Sequence, residues 1–170
     1  MQKIAKFEKV SFENFLEAYL KFKGETNIEI IKKIYQDILL PRRATIGSAG
    51  YDFFMIDAVC IRQGETLLVP TGIRVSIVNG WVLKLYPRSG LGFKYRLQLD
   101  NTVGIIDSDY YYSDNEGHIF AKITCDAKEE KELLIKKGMA FMQGVFVEYG
   151  ITYDDDVTEI RNGGFGSTSK

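Results

Sequence analysis

Five short segments carry side chains that the apolar framework around them does not need. SAGYDFF puts Asp52 two residues after Gly50, at the head of an apolar run. PRSGLG follows the rigid Pro87 with Arg88, Ser89 and Gly90. A guanidinium is a forked donor for phosphate oxygens, and a serine hydroxyl with adjacent backbone N–H groups can form a nest for an anion. DNTVGIIDSDYYY supplies an amide, Asn101, and a carboxylate, Asp107, then runs into Tyr110, Tyr111 and Tyr112. KKGMAFMQG ends in Gln143, one polar side chain among apolar neighbours. RNGGFGSTS combines Arg161, Phe165, Ser167 and Thr168 with glycines that include Gly166. Singly, PRSG reads as a turn and GGFGSTS as a polar tail. Together, in this order, they form a set that a small phosphorylated ligand could use.

The rest of the chain must position these groups. At 170 residues it is long enough for one domain with a substantial core. A formal net charge of −1 argues against a general binder of nucleic acid, whose surface would be basic. A polyphosphate must then be neutralised locally, by arginine and a metal. No apolar run approaches the roughly 18 residues of a membrane span. MQKIAKFEKV also lacks a signal-peptide core, so the expectation is a cytoplasmic protein without a membrane partner. Cys60 and Cys125 lie in strand-like segments and read as small buried hydrophobes of a reducing compartment. His118, the single histidine, cannot anchor a metal cage and reads as a strand or loop residue. Asp154, Asp155 and Asp156 read as a solvated loop.

Residues 1–40 are expected to form an N-terminal helical extension. Ser11 caps a first helix carrying Phe12, Phe15, Leu16, Tyr19 and Leu20 on one face, and Gly24 stops it. Asn27 caps a second, striped by Ile30, Ile31, Ile34, Tyr35 and Ile38, with Pro41 ending the pattern. The stripes can pack on the core or offer a docking surface. From residue 41 the period shortens to two: Ile73, Val75 and Ile77 alternate with Arg74, Ser76 and Val78, as in a half-buried antiparallel strand. Short strands punctuated by glycines, with no βαβ alternation, suggest a mainly β sandwich or jelly roll over residues 41–153. Residues 154–170 read as a flexible C-terminal arm.

In order and in wording, the five segments resemble the five motifs of the homotrimeric dUTPases (deoxyuridine triphosphate nucleotidohydrolases) of Gram-positive bacteria and their phages. The resemblance spans residues 41–168. It implies a distorted β jelly roll, a homotrimer with active sites between subunits, and Mg²⁺-assisted hydrolysis of dUTP to dUMP and pyrophosphate, which lowers dUTP and supplies dUMP for thymidylate synthesis. It implies that Asp107 activates the water that attacks the α-phosphorus. Tyr110 would pack under the deoxyribose and exclude a 2′-hydroxyl. Asn101, with the backbone of Gly104 and Ile106 in the same hairpin, would read uracil. Arg88, Ser89 and Gly90 would hold the β- and γ-phosphates and Gln143 the α-phosphate. Asp52 would reach Mg²⁺ only through water, since the triphosphate ligates the metal. In the arm, Phe165 would stack on uracil while Arg161, Gly166, Ser167 and Thr168 close over the γ-phosphate.

The chain also departs from the family pattern. Met139 and Ala140 stand where the fourth motif usually carries a basic residue, and the third motif continues into YYYSDNEG in place of a short turn. Tyr111 and Tyr112 inherit no role and are expected to pack at the lengthened hairpin exit, with Asp109 a turn or surface acid. A dCTP deaminase of the same fold would need a Glu in the strand HIFAKITC, which has none. By analogy with phage members, a repressor protein is a conceivable regulatory partner.

Overall fold

The computed structural model describes residues 2–159 and residue 161. The expected helices form where their caps direct. Ser11 Oγ accepts a hydrogen bond from Asn14 N at 3.2 Å at the start of α1 (Phe12–Lys23), and Gly24 ends it in the left-handed region at φ 68°. Asn27 Oδ1 accepts from Glu29 N at 3.0 Å at the start of α2 (Ile28–Gln36). α2 stops at Gln36, before the last residue of its stripe, yet Ile38 is still buried. Phe15, Tyr19, Ile31 and Ile34 join Ile38 in the core that the strands also build. Most of each stripe is therefore packed into the core, while Leu20 and Ile30 stay exposed. Each such side chain contributes ~1.5–3 kcal/mol by leaving water, so excising the helices would uncover the domain.

One correction concerns residues 1–40: Ala5–Lys9 is a strand, β1, not part of a helix. Among the described residues there are twelve strands, which continue with β2 (Arg42–Arg43), β3 (Tyr51–Phe54), β4 (Val59–Arg62), β5 (Thr66–Pro70) and β6 (Ile73–Ile77). They go on with β7 (Trp81–Pro87), β8 (Leu97–Leu99), β9 (Gly104–Ile106), β10 (Phe120–Cys125), β11 (Glu132–Ile135) and β12 (Ala140–Glu148). Every pairing is antiparallel, as the missing βαβ alternation required. Four small sheets make the distorted jelly roll: β1-β6, β5-β10-β8, β11-β4 and the five-stranded β2-β3-β12-β7-β9. In β6, Ile73 and Val75 point inward as the alternation predicted.

Two further details differ from expectation. β4 alternates so that Val59 and Ile61 are buried while Cys60 faces out, leaving an exposed thiol; Cys125 is buried as expected. PRSGLG is less a turn than the entry to a short helix, α3 (Ser89–Tyr95), which its two glycines conceal from a propensity reading. No helix among the described residues is long and apolar enough to cross a membrane.

Candidate active site

The five-stranded sheet carries the chemistry at two places. At the first, β3 and β12 pair with Asp52 opposite Gln143. Asp52 is 8% exposed, and Arg88 Nη1 donates to its Oδ1 at 2.6 Å. A carboxylate this far from water requires such a partner. The Arg88 side chain stays 40% exposed, so it can still present donors to an anion. Arg88 N also donates to Phe141 O at 3.1 Å, tying the end of β7 to β12. Ser89 and Gly90 follow as exposed residues of the first turn of α3, with no side chain capping it. Gly50 lies close against Gln143: a β-carbon there would sit 2.5 Å from Gln143 Oε1 and displace that carboxamide.

The second place is the loop joining β8 to β9, which is not the expected hairpin, because β8 pairs with β10 in the three-stranded sheet while β9 pairs with β7. Asn101 and Thr102 make its exposed turn, closed by Val103 N donating to Asn101 O at 2.6 Å. Gly104 is buried against Leu85, and Ile106 is core, so those two can address a ligand only through their backbone. A cavity of about 390 Å³ opens beside the loop, walled by Leu85, Leu99, Phe120 and Met142 with Asn101 and Gly104 at its polar edge. Apolar walls with a few polar groups suit a small planar ligand.

Asp107 follows β9 and starts a 3-10 turn, Ser108–Tyr112, in which Tyr110 N donates to Asp107 O at 3.2 Å. Its carboxylate is about half exposed and accepts a bond from Arg161 Nη2 at 2.8 Å. Arg161 Nε lies 3.3 Å from Asp109 Oδ1, and the guanidinium carbon is 5.6 Å from the Tyr110 ring centre. Tyr110 is buried, and burial pushes its hydroxyl upward, leaving a neutral phenol. That hydroxyl donates to His118 O at 2.8 Å and accepts from Asn115 Nδ2 at 2.8 Å.

Register sets Asp107 apart from Gln143 within one chain. Ile106 pairs with Leu83 of β7, and Gln143 with Tyr86, three residues further along. That offset is roughly 10 Å along the strand, and two strand spacings add roughly 10 Å across it. Asp52, Arg88 and Gln143 form one group and Asp107, Asp109, Tyr110 and Arg161 another, while Asn101 borders the cavity with Leu85 and Met142. Phe165, Gly166, Ser167 and Thr168 lie outside the described residues.

The dUTPase family model matches residues 36–169. The chain belongs to the dUTPase family. A deoxyuridine 5′-triphosphate nucleotidohydrolase of Lactococcus lactis is 42% identical over 134 residues, spanning 77% of this chain and 88% of that protein. The crystal structure of a dUTPase from Streptococcus mutans superposes with a TM-score of 0.63 at 32% identity, covering 86% of this chain and 97% of the other. A Staphylococcus bacteriophage 80alpha dUTPase, solved with dUPNHPP and described as controlling transfer of virulence genes by a G protein-like mechanism, covers 98% of each chain with a TM-score of 0.63 at 23% identity. That last likeness shows the shared fold.

Asp109 is an exposed residue of the 3-10 turn, as expected of a turn or surface acid, and its carboxylate is also one of two that hold Arg161. The Asp-x-Asp spacing was the available signal for that pairing, because a 3-10 start brings residues 107 and 109 toward one cation. Tyr112 is exposed, but Tyr111 packs its ring under Arg74, 3.6 Å from guanidinium carbon to ring centre.

Proposed function

We propose that this chain hydrolyses dUTP to dUMP and pyrophosphate, at sites that copies of the chain complete for one another in a homotrimer. The observation that carries the reading is the separation along β7. A general base must stand within hydrogen-bond reach of the attacking water, about 3 Å, and that water must stand against the same phosphorus that Gln143 contacts. Asp107 and Gln143 of one chain are too far apart for both tasks. A second copy supplying Asp52, Arg88, Ser89, Gly90 and Gln143 to the Asp107 turn resolves the conflict, and the arm closes the site through Arg161, Phe165, Gly166, Ser167 and Thr168.

In this reading uracil enters the cavity beside Asn101 and is addressed by that amide and the backbone of Gly104 and Ile106. The deoxyribose rests on Tyr110. Asp107 removes a proton from water, the water oxygen bonds to the α-phosphorus, and the bond to the bridging α–β oxygen breaks, releasing pyrophosphate. The triphosphate competes with Asp107 and Asp109 for the Arg161 guanidinium, so substrate binding and release of the base are linked. Among the described residues no group of three or more His, Cys, Asp or Glu side chains could hold a metal, and Asp52 is already paired with Arg88. These residues fit Mg²⁺ carried in on the triphosphate, with Asp52 touching only its waters. When bound, the metal neutralises the phosphate charge.

The test is pyrophosphate release from dUTP, dTTP, dCTP and UTP with Mg²⁺. Turnover of dUTP far above the other three is expected. Comparable turnover of UTP would overturn the role given to Tyr110, and ammonia release from dCTP would favour a deaminase.

A further inference from the structure

The departures at the two ends of the sequence fit each other. The lengthened exit, residues 111–118, is held by the N-terminal segment, by Arg74 of β6, whose Nη2 donates to Tyr111 O at 3.0 Å, and by hydrogen bonds of its own turns. Glu116 carries the left-handed backbone, φ 59°, that a non-glycine residue adopts only when something holds it. Its N donates to Ser113 O at 2.8 Å, and Ser11 holds its side chain: Ser11 Oγ donates to Glu116 Oε1 at 2.5 Å and Ser11 N to Oε2 at 2.8 Å. Next to it, Gly117 at φ 69° admits no side chain, because a β-carbon would lie 2.8 Å from Tyr110 O. Tyr111 Oη donates to Glu8 Oε2 at 2.7 Å.

One side chain of α1 then reaches both hydrogen-bond partners of the Tyr110 hydroxyl. Asn14 Nδ2 donates to Asn115 O at 3.2 Å, and Asn14 Oδ1 lies 2.8 Å from His118 Nδ1. Gly72 N donates to His118 Nε2 at 2.9 Å, which places the ring proton on Nδ1, facing Asn14. Asn115 and His118 O in turn hold the Tyr110 hydroxyl.

We infer that Asn14, with the Ser11–Glu116 clamp beside it, is a positioning residue that sets the Tyr110 ring, so that the N-terminal segment takes part in choosing deoxyribose over ribose. The inference rests on the reading of Tyr110 as the surface under the sugar. Asn14 touches no substrate; it acts through Asn115 and His118. A tilt of the ring opens room at the 2′-position and loosens the fit to the deoxyribose. The expected signature is therefore a fall in discrimination and a rise in KM, with kcat for dUTP little changed.

The experiment compares kcat/KM for dUTP and UTP in Asn14→Leu, Glu116→Ala, Glu116→Gln and Tyr110→Leu, each checked for a native near-ultraviolet dichroism spectrum. Asn14→Leu and Glu116→Ala should lower the dUTP-to-UTP ratio about tenfold, within the ~10²-fold that a displacement of ~1 Å can cost. Glu116→Gln should restore the ratio, because its carboxamide can accept from Ser11 N and donate to Ser11 Oγ. A lowered ratio for Tyr110→Leu with ratios unchanged for both Asn14→Leu and Glu116→Ala overturns the inference alone. An unchanged ratio for Tyr110→Leu overturns the reading of Tyr110, and the inference with it. Should Asn14→Leu fail to fold, the Glu116→Ala and Glu116→Gln pair decides by the same ratio.

Discussion

Asp107 is half exposed and shares its carboxylate with Arg161, an arrangement suited to a base that must be released before it works. Asp107→Asn keeps the size and the turn but removes the proton acceptor. It should lower kcat by about 10²–10⁴-fold, the usual worth of a general base, while dUTP binding measured by calorimetry stays near the wild-type value. Loss of binding with chemistry intact would reassign Asp107 to substrate contact. The neighbouring Asp52 illustrates a different use of a carboxylate. Its bond to Arg88 aims the guanidinium, and burial keeps that pair in place. The motif residues were legible from type and order alone. Their pairing was not, since it follows from cross-strand register between residues 36 positions apart.

At the scale of elements, the buried His118 joins α1 to the strands, and this gives the fold a pH dependence. Burial pushes its pKa down from 6.5 to about 4, against a smaller opposing pull from Glu116. The ring is neutral in the folded chain, and protonation would turn Nε2 into a donor facing the Gly72 N–H. In the unfolded chain the same ring takes up a proton near 6.5. The unfolded state thus binds more protons between these values, so stability is intact above pH 6.5 and is lost as pH falls toward 4, by ~1.4 kcal/mol per unit. Urea midpoints at fixed protein concentration should show a loss on the order of 2 kcal/mol between pH 7 and pH 5. A flat profile over that window, or an equal loss in His118→Gln, would refute this account. His118 read from sequence as an ordinary strand or loop residue, because its partners Asn14 and Gly72 are 104 and 46 positions away. The helices were legible because their caps are local. β1 was not, because AKFEK earns its strand only by pairing with β6, about seventy residues on.

At the scale of the whole molecule, the proposed division of the site between copies predicts complementation. Asp107→Asn and Gln143→Ala should each be nearly inactive alone. If the two proteins are unfolded together and reassembled as mixed trimers, about a quarter of the sites should draw Asp107 from one kind of chain and Gln143 from the other. Pyrophosphate release should return to that fraction of the wild-type rate. Continued inactivity of the mixture, with mixed trimers verified by mass spectrometry, would place the whole site within one chain. The jelly roll could be anticipated from short, glycine-punctuated strands. The offset between Leu83 and Tyr86 that sets Asp107 apart from Gln143 appears only once β12 and β9 are laid on either side of β7.

The dependence of the first forty residues on later strands also has a consequence in time. α1 buries Phe15 and Tyr19 in a core built with strands that follow it, and its Asn14 meets a histidine 104 residues downstream. A ribosome adding ~5–20 residues per second needs about 5–20 s to deliver that partner. For the later part of that interval, once both helices have left the ribosomal tunnel, their apolar faces stand uncovered. The nascent chain thus presents an apolar surface that folding later covers in large part.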